Sequence, residues 1–129
     1  MSLSNLDPQK LENLRNALDR LHEALDYPDG TPLREDAAIH RFKISCESAW
    51  KSLRAYLSGE SKDKISSPRN VLKTAFSYQL IDGEDTWLSM LNDRNLMSYI
   101  YDEDHAKKIF DQLPRYVLEI EKLYDNLKQ

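Results

Sequence analysis

Glycine is scarce in this chain: only three occur among 129 residues. That is too few for the many tight turns of a sheet-rich fold. The single cysteine, Cys46, has no partner for an internal disulfide, so nothing in the sequence asks for an oxidising compartment. No apolar run approaches the roughly 18 residues of a membrane span, and no signal-peptide pattern opens the chain. The expectation is a cytoplasmic protein with no membrane contact. There is no glycine-rich loop to cradle a phosphate. Of His22, His40 and His105, none lies three or four residues from another histidine or from Cys46, so no metal site and no cofactor are predicted. An excess of positive charge is also missing. The formal net charge is −4, which excludes bulk attraction for nucleic acid, so any RNA contact needs a local basic patch.

What the chain does have is helix-forming pattern. Charged residues make up 31% and hydrophobic residues 40%, as in a soluble, helix-rich protein. The length suits one core, so residues 1–129 are read as a single domain. Leu11, Leu14, Leu18, Leu21 and Leu25 recur at steps of three and four, which places them on one helical stripe. Asp7-Pro8 supplies a cap followed by a proline at the first helical position, and Tyr27-Pro28-Asp29-Gly30 ends the run.

Thr31-Pro32 and Ser67-Pro68 repeat that start signal. The second helix is expected to bury Ile39, Phe42, Cys46, Ala49, Leu53 and Tyr56 and to run to about Gly59. The third carries Val71, Leu72, Ala75 and Phe76 and ends near Leu80, before an Asp82-Gly83 turn. A shorter fourth holds Trp87, Leu88 and Leu91. A long final helix follows the Asp102 cap with the stripe Ala106, Ile109, Leu113, Val117, Ile120, Tyr124 and Leu127. Pro114 inside it should kink or split it. With no convincing strand, the fold class is all-α: an antiparallel up-and-down bundle of four to five helices.

Few residues carry chemistry. Cys46 falls on an apolar stripe and reads as core. Asp102-Glu103-Asp104 reads as helix-start acids facing the dipole. Arg41, Ser45, Ser48 and Ser52 share one face of the second helix, as the lining of a polar cleft or as close helix packing. The segment Asp93-Arg94-Asn95-Leu96-Met97-Ser98-Tyr99-Ile100-Tyr101 is the densest in binding chemistry. Arg94 can hold a phosphate in bidentate fashion, Asn95 can orient a ligand, and Tyr99 and Tyr101 can wall a base. In a regular helix Tyr99 would point about 140° away from Arg94, so the two converge only if the helix ends between them. Against this stands a structural reading: Arg94 paired with Asp93 or Asp102, and the tyrosines half-buried.

The chain resembles the nucleotidyltransferase substrate-binding proteins, a branch of the HEPN (higher eukaryote and prokaryote nucleotide-binding) superfamily. The likeness is carried by Asp36 to Phe42, Ala49 to Leu53, Ser67-Pro68-Arg69, Ala75-Phe76, Trp87 to Leu96 and Tyr101 to Glu103, in the family's order. The resemblance implies a homodimeric helical bundle and a separate partner, a minimal nucleotidyltransferase carrying the Gly-Ser loop and aspartates this chain lacks. Many such pairs are read as toxin–antitoxin modules, with the HEPN protein as a metal-independent RNase. In that motif an arginine is followed after four residues by histidine, any residue, then tyrosine. Here Tyr99 stands in the histidine position. A phenol near pKa 10 is a poor base at neutral pH, and the exchange removes a group suited to proton transfer.

The expectation is therefore a non-catalytic subunit that binds a substrate, nucleotide or RNA and has transferase activity only with its partner. Its site residues are Arg94, Asn95, Tyr99 and Tyr101, with Arg41 assigned to the same cleft. The alternative is a HEPN-type RNase active despite Tyr99. His105, turned away by the Asp102 helix start, is not taken as the missing base.

Overall fold

The computed structural model describes residues 6–28, 32–60, 67–96 and 103–128. They form five helices and no strand: α1 (Pro8–Asp26), α2 (Pro32–Glu60), α3 (Pro68–Ser77), α4 (Glu84–Leu96) and α5 (Glu103–Lys128). The all-α bundle is as the apolar spacing predicts.

Two of the three Pro-led starts fall within the described residues. The Asp7 carboxylate accepts the Gln9 N–H at 3.0 Å, and the Ser67 hydroxyl accepts the Asn70 N–H at 3.2 Å, with proline next in each case. Both satisfy an N–H that a helix start leaves without a partner. The caps expected of Thr31 and Asp102 lie outside the described residues.

α2 is the spine and packs against all four other helices. It buries Phe42, Cys46, Ala49, Leu53 and Leu57. Ser45 and Ser52 are buried as well. The Ser45 hydroxyl donates back to the Arg41 carbonyl at 3.0 Å, so this small buried hydroxyl serves close helix packing.

Three expectations need correction. α5 is one continuous helix, and Pro114 does not split it. Pro114 is exposed, so its ring displaces nothing from the buried core. Phe76 is 49% exposed, because the α3 face that meets the core is Val71, Leu72 and Ala75. The predicted α5 stripe also omitted Tyr116, which is fully buried and stacks on Phe42 with ring centroids 5.4 Å apart.

The turn after α3 shows what scarce glycine entails. Gln79 takes the left-handed conformation, φ 62°, that glycine normally fills. Its N–H bonds the Phe76 carbonyl, and the Leu80 N–H bonds the Ala75 carbonyl. These paired bonds close the helix and turn Leu80 and Ile81 into the core.

Helices α1 and α5 are joined by an ionic cluster. Arg15 grips Glu121 with two hydrogen bonds, 2.9 and 2.7 Å, while its guanidinium lies 4.8 Å from the Tyr124 ring centroid. His22 Nε2 meets the same carboxylate at 2.7 Å. The Arg15 hydrogen bonds outweigh partial burial and hold the Glu121 carboxyl below its ordinary value of 4.5. A lowered folded-state pKa means that stability is present above about pH 4.5 and lost as pH falls through the folded value. Glu121→Gln should lower unfolding free energy by about 1 kcal/mol at pH 7. In urea titrations that gap should shrink as pH falls through the folded-state value, where the wild-type carboxylate becomes neutral too. A gap of constant size would show that charge plays no part.

Candidate functional site

Arg94 sits in the last turn of α4, where a cation complements the helix dipole. Its Nη1 donates to the Asn95 side-chain carbonyl at 3.0 Å, and its Nη2 reaches Glu47 on α2 at 3.4 Å. The carboxylate partner is thus Glu47, not Asp93. The reason lies one residue earlier: Asp93 accepts the Tyr116 phenol from α5 at 2.5 Å, and that phenol oxygen also lies 2.7 Å from the Ser89 hydroxyl. Arg94 and Glu47 are each about one-third exposed and their contact is long, so an anion with better geometry can displace the carboxylate.

Beside Arg94 opens a recess of about 210 Å³. One face of α4 supplies Leu88, Leu91, Asn92 and Asn95, spaced as helical neighbours. Trp50 comes from α2, and Pro68 and Arg69 from the first turn of α3. Among the described residues, no histidine and no carboxylate lines it. Two guanidinium groups, two amides and one indole make a surface suited to a phosphate and an aromatic ring.

Deeper in, Cys46 is buried, and burial pushes its thiol up to about 12 against the lowering effect of the Arg94 charge. It stays protonated at neutral pH, which suits a packing residue and not a nucleophile.

The predicted site residues are distributed as follows. Arg94 and Asn95 are together in the recess. Tyr99 and Tyr101 lie outside the described residues. Arg41 is not brought to this site. Its Nη1 bonds the Arg20 carbonyl at 2.8 Å and Glu23 at 3.1 Å, tying α2 to α1. There it lines a different hollow, of about 400 Å³, with Tyr27, Leu33 and Arg34. Arg41 precedes Glu47 by six residues, roughly 9 Å along the helix axis, and points to another neighbour. Trp50 and Arg69 went unrecognised as site residues. Their signal was faint: an aromatic beside Lys51, and an arginine directly after a Ser-Pro helix start. Among the described residues no three His, Cys, Asp or Glu side chains gather into a metal-binding set. Among the described residues no helix is long and apolar enough to cross a membrane.

Comparison with known proteins shows the family and the fold. The family described as nucleotidyltransferase substrate binding protein like matches residues 9–129. A solved protein of Thermus thermophilus is 33% identical, with 90% of this chain and 99% of that one covered and a TM-score of 0.82. A Haemophilus influenzae structure, described as revealing the fold of a substrate binding domain of a nucleotidyltransferase, has a TM-score of 0.84 over 92% of this chain and 99% of its own. At 22% identity that likeness speaks for the fold. A Haemophilus influenzae protein named probable ribonuclease HepT is 25% identical over 96 residues, 71% of this chain; the match spans 66% of that relative's length.

The Tyr116 phenol is raised to about 12, first by burial and then by its bond to Asp93. A raised folded-state pKa keeps its stabilisation intact below the ordinary value of 10 and loses it as pH climbs towards 12. Tyr116→Phe should unfold about 1–2 kcal/mol more easily at pH 7. Absorbance titration of the phenolates should lose one late-titrating group near pH 12, and loss of an early one instead would contradict the assignment.

Proposed function

Since this chain belongs to the nucleotidyltransferase substrate-binding protein-like family, a HEPN-related group, we propose that it is a non-catalytic substrate- or nucleotide-binding subunit. It acts with a separate minimal nucleotidyltransferase, folds as a single domain and pairs with a second copy of itself. The observation that carries this reading is the Arg94 recess: it offers cations and amides for a phosphate, and among the described residues no histidine or carboxylate lines it. Arg94 is the phosphate anchor, released from Glu47 when the ligand arrives. Asn95, already bonded to the guanidinium, holds its orientation. Tyr99 and Tyr101 follow as walls of the same site.

The purified protein is expected neither to transfer nucleotides nor to cleave RNA, and to capture a small nucleotidyltransferase when the two are co-expressed. Arg94→Ala should weaken nucleotide binding by tenfold or more in isothermal titration and abolish the ligand-induced rise in melting temperature. Robust metal-independent RNA cleavage that disappears in Arg94→Ala would overturn the reading.

One observation favours a second reading, a HEPN-type RNase: the distant relative is named a probable ribonuclease. Tyr99 in the histidine position argues against full activity, since proton transfer of this kind contributes roughly 10²- to 10⁴-fold. Tyr99→His therefore separates the two. A gain of cleavage from nothing marks a lapsed nuclease scaffold, whereas wild-type cleavage that histidine does not improve supports an active enzyme using another base.

A further inference from the structure

Resting on the reading of Arg94 as a phosphate anchor, we propose that Trp50 and Arg69 complete the site, and that together the three bind one nucleotide unit. Its phosphate lies between Arg94 and Arg69, and its base lies on the Trp50 indole.

Charge supports the placement. The chain as a whole is acidic, with a formal net charge of −4. Yet α3 has no acidic residue and carries Arg69 and Lys73, while the α2 segment facing it, from Glu47 to Ser58, holds one acid against Lys51 and Arg54. Among the described residues the recess lining itself carries two arginines and no acid, a local exception on a negative molecule of the kind phosphate binding requires. Of the two arginines lining the recess, Arg94 has one long contact to a carboxylate, which a phosphate oxygen can replace.

The aromatic wall is equally specific. The chain has two tryptophans. Trp87 is fully buried, whereas Trp50 is only partly buried and lines the recess. Leu88 and Leu91 add an apolar floor. Volume then limits the ligand. At about 210 Å³ the recess is smaller than the roughly 300 Å³ at which pockets for whole drug-sized ligands begin. It holds a phosphate and the face of a base while the rest of the molecule projects into solvent. A free nucleoside monophosphate and the terminal nucleotide of an RNA strand present this same chemistry.

Intrinsic fluorescence reports the event directly, because a base stacking on Trp50 quenches it and Trp87 is shielded. The wild-type protein is titrated with inorganic phosphate, with a nucleoside monophosphate and with a short single-stranded RNA bearing a 5′ phosphate. Nucleotide and RNA should quench, and phosphate should bind weakly without quenching. Trp50→Leu, which keeps apolar bulk, should weaken nucleotide binding about tenfold in calorimetry and leave phosphate binding unchanged. Trp50→Phe should retain most of the affinity. Arg69→Ala should weaken phosphate and nucleotide alike. Tighter binding of RNA than of the monophosphate identifies the strand end as the source, and equal binding identifies the free nucleotide; either supports the site. Nucleotide binding that needs Arg94 but is indifferent to Trp50 and Arg69 would sink this proposal and leave the Arg94 anchor standing. No nucleotide binding in any variant would remove both.

Discussion

A buried tyrosine hydroxyl must find a hydrogen-bond partner, and in this bundle the choice made by Tyr116 organises the rest. Its ring lies in the core on Phe42, so its phenol can reach only the helix across from it. There it bonds Ser89 and Asp93, one helical turn apart on α4. An unmade hydrogen bond in such a place costs more than a made one contributes, so the pairing sets the rotation of α4 against α5. With Asp93 engaged, Arg94 turns to α2 and Glu47. The Arg94 end of α4 is therefore oriented by a residue on a different helix.

The same economy governs α2. One helix that contacts four others must present small residues where neighbours come closest, and Ser45, Cys46, Ala49 and Ser52 are all buried along it. Larger groups at its margins then face outward between helices. Glu47 and Trp50, three residues apart, meet α4 in this way, and Arg41 meets α1. One helix thus contributes to two hollows: one under Arg41 between α1 and α2, the other under Arg94 among α2, α3 and α4.

Much of this was legible in the sequence because it is local. Asp7-Pro8 and Ser67-Pro68 mark their helix starts through bonds to N–H groups two and three residues ahead. The leucine stripe of α1 needs only the helical repeat. The misses are all tertiary. Tyr116 looked like a position beside a stripe, because nothing nearby shows that Ser89 and Asp93 wait opposite. Phe76 looked buried because hydrophobicity alone does not reveal that α3 has only one covered face. Pro114 looked like a break because its exposed setting on α5 is a property of the packed bundle. Trp50, Arg69 and Arg94 belong to three different helices, so no spacing rule could have joined them. Arg41 shows the converse: position on the right helix does not place a side chain in the right cleft.

The distribution of acid–base chemistry draws these strands together. Where a titratable group near the recess is buried, its proton is held more firmly: burial raises both the Cys46 thiol and the Tyr116 phenol to about 12. The side chains that line the recess are arginine, asparagine, tryptophan and apolar groups. A guanidinium stays charged at every physiological pH and neither takes nor gives a proton. Among the described residues the recess thus offers fixed charge and amides but no lining group to move a proton at neutral pH. The exchange of histidine for Tyr99 at the motif position points the same way. On the family reading, such a surface suits a division of labour in which this chain holds the ligand and a second protein brings the reacting groups.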